Sequence, residues 1–147
     1  MDRRELLLAV LAAGGGRAFH PAQIQKAIFL IDKNLPHLVH NGPRYNFVAY
    51  NYGPFDRNVY VEAERLRDEG ATVIAPAPGG RWMTYAVSEV GLPRGEQILS
   101  RLKLKSRRYI ESVVEWVLAQ SFSSLVKSIY DAYPGNEGKQ YFSGVAS

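Results

Sequence analysis

Apolar residues recur along this chain with the three- and four-residue spacing that amphipathic helices require. In the N-terminal part the pattern predicts two helices, over residues 2–13 and 21–34. Asp2 is a suitable N-cap for the first, and Pro21 suits the first turn of the second. The apolar faces consist of Leu7, Val10 and Leu11 in the first helix and of Ile24, Ala27, Ile28 and Ile31 in the second.

The same spacing returns in the middle and at the C-terminal end of the chain. It predicts a helix over 55–70, a helical segment around 95–102, a helix over 106–120 and a last helix from Ser123 to Pro134. The apolar stripes are Val59, Tyr60, Ala63 and Leu66, then Ile110, Val113, Val114 and Val117, then Leu125, Val126, Ile129, Tyr130 and Tyr133.

Strand-like alternation occurs in two places. Val48, Tyr50 and Tyr52 alternate as in a short strand, and Gly53-Pro54 then predicts a turn into the helix over 55–70. Residues 71–75 and 81–87 are two further strand-like runs. A Pro- and Gly-rich stretch separates these runs, which predicts a hairpin.

This order of elements predicts an α+β fold that is mostly α. It indicates a winged-helix-like core of helices, a short strand and a β-hairpin wing, followed by additional C-terminal helices. A standard winged helix has its first strand before the second helix, whereas the short strand here follows it. We expect one domain over residues 1–134 and a small, polar, loosely ordered tail over 135–147.

Length and composition narrow the class of protein. A chain of 147 residues, 46% hydrophobic and 22% charged, is typical of one soluble globular domain. It has no cysteine, which excludes a disulfide framework and thiolate metal sites and fits a cytoplasmic protein. No apolar run reaches the roughly 18 residues of a membrane span. The apolar run over 6–13 is short, and we interpret it as a helix and not as a signal peptide.

No motif predicts catalysis or a bound cofactor. His37 and His40 are spaced as a His-x-x-His pair but lie in a predicted loop without the further ligands that zinc needs. Residues 14–17 read Gly-Gly-Gly-Arg, which lacks the strand and the Gly-Lys-Ser/Thr ending of a phosphate loop. The acidic residues over 62–69 alternate with arginines and predict solvated ion pairs. We therefore expect no catalytic residues, no metal and no cofactor.

A local excess of positive charge lies between residues 94 and 108. With the predicted wing it forms a candidate nucleic-acid surface: Arg81, Arg101, Lys103, Lys105, Arg107 and Arg108. The helix over 55–70, in contrast, has a net charge of −2, which disfavours insertion into a DNA groove. Arg57 and Asn58 at its start are the plausible base readers on that helix.

The aromatic-rich stretch over 45–56 is the most distinctive part of the sequence. Exposed aromatics of this kind can stack on nucleic-acid bases, but core packing is the favoured interpretation for Val48, Tyr50 and Phe55. Tyr45 and Tyr60 are the expected exceptions. The candidate partner-binding residues around this stretch are Tyr45, Tyr52, Arg57, Asn58 and Tyr60.

Three motifs in order support a family resemblance. They are Gln23-x-x-Lys26-x-x-Phe29-Leu30, the aromatic strand that ends Tyr52-Gly53-Pro54-Phe55, and Tyr60 in the next helix. Together they resemble the Panacea domain, the SocA-like antitoxin family, and related winged-helix-like phage-associated small proteins. The usual Lys-Leu-Gln-Lys start of the second helix is Gln23-Ile24-Gln25-Lys26 here.

The resemblance implies a non-enzymatic role, such as neutralising a toxin, adapting a substrate to a protease or regulating transcription. It carries no agreed catalytic residues. We therefore expect a protein-interaction module that is antitoxin-like or associated with prophage or defence functions, with a protein partner of toxin or protease type. The alternative is a winged-helix DNA-binding regulator that uses the wing and the basic run over 101–108. A homodimer stays open, and no membrane contact is expected.

Overall fold

The computed structural model of the chain describes residues 1–50 and 53–125, and it has an α+β fold that is mostly helical. The elements follow one another along the chain in the order α1, α2, β1, β2, α3, β3, β4, α4, α5. The helices are α1 Arg3–Ala13, α2 Pro21–Asn34, α3 Asn58–Asp68, α4 Gly91–Ser100 and α5 Leu104–Ala119. The strands are β1 Val48–Tyr50, β2 Gly53–Phe55, β3 Thr72–Pro76 and β4 Met83–Val87.

Helix α1 lies at the centre of the core. The side chain of Asp2 accepts a hydrogen bond from the backbone of Glu5, and Glu5 reaches back to the backbone of Asp2, so the expected N-cap is confirmed as a capping box. Every residue from Leu6 to Ala12 is buried. A helix that is apolar all round must be enclosed, and α2, α3, α4 and α5 all pack against it.

The hairpin predicted after the third helix is confirmed. β3 and β4 pair antiparallel from Thr72↔Val87 to Pro76↔Met83. The chain just before α2 joins this hairpin at one position, because Phe19 and Tyr85 exchange backbone hydrogen bonds of 2.8 and 2.9 Å. The segment that leads into α2 is therefore held against β4.

The short aromatic strand differs from its prediction in two ways. Gly53-Pro54, predicted as a turn, lies in β2, which pairs antiparallel with β1 from Val48↔Phe55 to Tyr50↔Gly53. Val48 and Tyr50, predicted as core, are each 53% exposed. The physical reason is that β2 packs on α2 while β1 contacts mainly β2, so the side chains of β1 remain in solvent.

The remaining helices agree with the sequence pattern in type and differ at their ends. Helix α3 begins at Asn58, α4 already begins at Gly91, and α5 covers Leu104–Ala119. Residues 122–125 are helical, and the rest of the helix predicted from Ser123 to Pro134, with the tail over 135–147, lies outside the described residues. Within the described part of the chain, no helix combines the length and apolar character that a membrane crossing needs.

Candidate functional site

An open cavity of about 650 Å³ lies where the first turns of α2 meet both hairpins. We call it the hairpin cavity. Its wall includes the β1–β2 residues Tyr50 and Phe55, Tyr60 of α3, and Trp82 in the β3–β4 connection. A volume of this size can hold a small organic molecule or a few side chains of a bound peptide.

Helix α2 forms one side of the hairpin cavity through helical spacing. Ala22, Gln25 and Lys26 are three and four residues apart and therefore share the face that lines it. His20 is the N-cap of α2, where its ring accepts a hydrogen bond from the backbone of Gln23. His20 also lines the cavity, and burial lowers its pKa.

Aromatic rings form a continuous wall beside this face. The ring centroids of Tyr50 and Phe55 are 5.0 Å apart, those of Phe55 and Tyr60 are 5.9 Å apart, and Tyr60 stacks on Tyr85 at 5.5 Å. Burial raises the pKa of Tyr85 to about 12, so its hydroxyl stays protonated at neutral pH. The wall is therefore uncharged.

Three exposed aromatic side chains lie along the cavity. Tyr50 is 53% exposed, Trp82 is 47% exposed and Phe122 is 40% exposed, and all three line the cavity. The ring of Trp82 also contacts His20 edge-on, with centroids 6.2 Å apart. Exposed aromatics grouped around a concave surface are typical of binding sites.

A backbone clamp holds the β1–β2 hairpin against α2. The amide of Gln25 donates to the carbonyl of Asp56 and accepts from its backbone N–H, both at 3.0 Å. The carboxylate of Asp56 accepts hydrogen bonds from the backbone N–H groups of Asn46, at 2.6 Å, and Asn58, at 2.8 Å. This side of the cavity is thus fixed by two buried hydrogen bonds between Gln25 and Asp56 and by two partly buried ones at the Asp56 carboxylate.

The amine of Lys26 is the most unusual group in the cavity. The residue is only 1% exposed, and its Nζ has no hydrogen-bond partner among the described residues. Burial lowers the pKa of Lys26 to about 7. An ammonium without a partner is costly in such a place, so the side chain can act as an electrostatic anchor only when something supplies the opposite charge.

The predicted partner-binding residues do not all meet at this site. Tyr60 lines the hairpin cavity, and Arg57 and Asn58 lie at the start of α3, where Arg57 is exposed. The expectation that Tyr45 is exposed is wrong, because it is 4% exposed and its hydroxyl donates to the carbonyl of Arg3 at 2.8 Å. Tyr52 lies outside the described residues.

The basic residues are distributed over two regions. Arg81 lines the hairpin cavity, and the others surround the α4–α5 junction: Arg101, Lys103, Lys105, Arg107 and Arg108. Arg107 is paired with Glu111 at 3.3 Å, while Arg101, Lys103, Lys105 and Arg108 are exposed. The junction therefore keeps an exposed basic surface.

The acidic residues of α3 are not all solvated, as the sequence had suggested. Glu62 is 3% exposed, and its carboxylate accepts hydrogen bonds from Arg3 at 2.8 Å and Arg4 at 3.0 Å. Glu69 pairs with Arg4 at 3.0 Å and with Arg94 at 2.9 Å. These pairs join α3 to α1 and α4, so this acidic surface of α3 is used for folding contacts.

His37 and His40 are both exposed, and no group of three or more His, Asp or Glu side chains in the described ranges is placed to hold a metal ion. Lys26 is the residue that sequence reasoning missed. Its signal is a lysine that borders the apolar stripe of α2, next to Ala27, and lies four positions from Ala22.

Comparison of the chain with family models, with curated proteins and with solved structures finds no match. Any inference about the function of this chain therefore rests on the hairpin cavity and on the motifs in the sequence.

Proposed function

We propose that this chain is a non-enzymatic, antitoxin-like protein-interaction module that binds a segment of a partner protein in the hairpin cavity. The observation that carries the proposal is the set of exposed aromatics, Tyr50, Trp82 and Phe122, around one concave and mainly apolar site. Large aromatics at the centre of an interface supply much of its binding energy. The cysteine-free chain fits a cytoplasmic setting, and the proposal needs no cofactor.

Charge indicates what kind of segment would fit. Lys26, Arg81 and His20 line the hairpin cavity, and no aspartate or glutamate is among the described residues that line it. The complementary segment is apolar or aromatic and carries negative charge. A toxin or protease-type partner, as the resemblance to the Panacea domain implies, would present such a segment.

The arrangement of elements supports a winged-helix-like core as part of this proposal. The Phe19↔Tyr85 bridge lies just before α2, where a winged helix has its first strand, and β3–β4 corresponds to the wing. The β1–β2 hairpin is then an insertion between the second and third helices. Because this insertion forms the cavity with α2, the binding site differs from the groove-reading helix of a DNA-binding winged helix.

Selection from a phage-displayed random peptide library on the full chain tests the proposal. We expect enriched peptides that combine an aromatic or aliphatic residue with an acidic one. In calorimetry Trp82→Ala should weaken their binding at least about tenfold. Trp116→Ala is the matched control, because Trp116 is 36% exposed but does not line the cavity. Failure to enrich any peptide, or equal binding by both variants, would contradict the proposal.

Two alternatives are tested by separate measurements: a second copy of the chain in the cavity, and duplex DNA on the basic surface. If sedimentation shows a dimer that Trp82→Ala dissociates, the cavity binds a second copy of the chain. If the chain binds duplex DNA with a steep salt dependence that Arg101→Glu and Lys105→Glu reduce, the function is the DNA-binding regulator instead. A monomer without duplex binding at low salt leaves the peptide-binding module as the supported function.

A further inference from the structure

The buried amine of Lys26 forms no hydrogen bond with any of the described residues. Within residues 1–50 and 53–125, three other charged side chains are buried, and each has partners: Asp32 pairs with Arg44, Glu62 with Arg3 and Arg4, and Asp56 with backbone N–H groups. Lys26 alone in this set lacks a hydrogen bond at its charged atom. A buried charge of this kind weakens the fold, so packing does not explain it.

The position of the amine is well defined. Lys26 lies on the cavity-lining face of α2, and the backbone of Gly53 in β2 lies directly against its Nζ. A Cβ atom built on Gly53 would overlap Nζ, so a residue with a side chain at this position would displace the amine. The clamp between Gln25 and Asp56 holds β2 in this place.

The surroundings select the chemistry of a ligand for this amine. The cavity wall that contains Lys26 is mainly apolar and includes Ala22, Pro54 and Phe55, whereas Arg81 is exposed to solvent. One buried ammonium can neutralise one negative charge. A carboxylate meets that requirement, whereas a phosphate monoester with nearly two charges would leave excess charge in an apolar site.

We propose that Lys26 is the anchor for a single carboxylate that the partner segment inserts into the hairpin cavity, with an aromatic or aliphatic group beside it against Phe55 and Trp82. The carboxylate belongs to a peptide, as an acidic side chain or a chain end. This inference rests on the proposed function, because it names the chemistry of the segment that the cavity binds.

Because Lys26 must be protonated to bind a carboxylate, binding should depend on pH in a way that binding to a purely apolar cavity would not. Burial lowers the pKa of Lys26 to about 7, and no charged group among the described residues contributes to that shift. Among the described residues, the other titratable groups that line the cavity are His20 at the N-cap of α2, Tyr50 of β1, Tyr60 of α3 and Arg81 of the β3–β4 connection. A bound carboxylate would raise the pKa of Lys26, so binding above about pH 7 must take up a proton.

Phenylacetate and its neutral counterpart phenylacetamide are suitable probes. The full chain with Trp116→Phe keeps Trp82 as its single tryptophan, which reports binding by fluorescence. We expect the acid to bind at least about tenfold more tightly than the amide, since a charge-assisted bond is lost in the amide. Lys26→Met should abolish this difference, and Lys105→Met, at an exposed lysine, should preserve it.

The unmodified chain supplies an independent measurement. The affinity for phenylacetate, which is ionised throughout, should fall close to tenfold between about pH 8 and 9, while phenylacetamide shows no such change. Calorimetry in two buffers of different ionisation enthalpy should detect the proton taken up. Equal binding of acid and amide, no binding of either, or a flat pH profile would overturn the proposal.

The failure of the anchor can be distinguished from failure of the proposed function. If a selected peptide binds wild type and Lys26→Met equally but loses affinity in Trp82→Ala, the docking site is supported and the anchor is wrong. If phenylacetate binds through Lys26 but no peptide binds, the anchor is supported and the natural ligand is a small apolar acid.

Discussion

The α-carbon of Gly53 lies so close to the amine of Lys26 that a methyl group on Gly53 would overlap Nζ. Gly53 also has a φ of 120°, a conformation that residues with a side chain rarely adopt. Two independent constraints, the contact with Lys26 and the backbone conformation, therefore favour glycine at this position of β2. The contact links the backbone of the short hairpin to the charged group in the cavity.

Alanine substitutions at Gly53 and at Gly42 distinguish the effect of the contact with Lys26 from the effect of backbone strain. We expect Gly53→Ala to lower the free energy of unfolding by about 2–4 kcal/mol, through backbone strain and displacement of Lys26. Urea unfolding measures the loss. Gly42→Ala is the control, because Gly42 has a φ of 109° and a Cβ added there would meet nothing within 4 Å, so it shows strain alone. Equal losses in the two variants would show that the contact with Lys26 contributes nothing.

Lys26→Met should make the protein more stable. The pKa of Lys26 is about 7 in the folded chain against an ordinary 10.5, so between these values the unfolded state binds more protons and wild-type stability rises with pH. Below about pH 7 both states are protonated, and the full cost of the buried ammonium is present. Methionine removes this cost, which is on the order of a few kcal/mol.

Thermal and urea unfolding from pH 6 to 10 check this expectation. Wild type should gain stability as the pH rises, whereas Lys26→Met should lack that rise and exceed wild type most at pH 6. Lys105→Met, at an exposed position, should follow the wild-type curve. A lower stability of Lys26→Met at pH 6 would mean that the amine is paired in the folded protein. A more stable variant that no longer binds acids would show that the lysine is kept for binding.

The helices were predictable from the sequence because their apolar spacing and end signals are local. The His20-Pro21 start of α2 and the Asp2 cap of α1 both appear in the structure. The β1–β2 hairpin was not predictable in the same way. Gly53-Pro54 reads as a turn, and it becomes a strand because β2 packs on α2, a contact between residues distant in sequence.

The burial of each aromatic residue and the formation of the candidate site also depend on contacts between residues that are distant in sequence. Tyr45 and Tyr50 are alike in the sequence, yet Tyr45 is buried and donates a hydrogen bond to the carbonyl of Arg3, whereas Tyr50 lies in solvent on β1. Lys26 would be assigned to the surface by its charge. In the structure its amine lies against the backbone of Gly53, and no local pattern indicates that contact between α2 and β2.

The Gln25–Asp56 clamp should control how rigid the hairpin cavity is. Gln25→Ala removes two buried hydrogen bonds to one residue and leaves the Asp56 N–H without a partner, while the Asp56 carbonyl keeps the bond from the backbone N–H of Val59 at 3.1 Å. We expect a loss of about 2–3 kcal/mol of stability and faster amide hydrogen exchange at Asp56. Gln97→Ala, at an exposed position of α4, should change neither quantity. Unchanged exchange at Asp56 would contradict a structural role for the clamp.

Glu62 should stabilise the contact between α1 and α3 in a pH-dependent way. Burial raises the pKa of Glu62, but hydrogen bonds and charge from Arg3 and Arg4 outweigh it, so the net pKa is lowered. The stabilisation is therefore present above the ordinary pKa near 4.5 and is lost as the pH falls through the lowered value.

Glu62→Gln should cost about 1–3 kcal/mol at pH 7, because the arginines lose their charged partner while the amide keeps part of the hydrogen bonding. Chemical denaturation at pH 7 and at progressively lower pH should show the difference from wild type shrinking as Glu62 becomes protonated. Glu64→Gln, an exposed neighbour on α3, should show little change at either end. A cost that is independent of pH would mean that the carboxylate acts through its shape and packing, and that its charge contributes nothing to the contact between the helices.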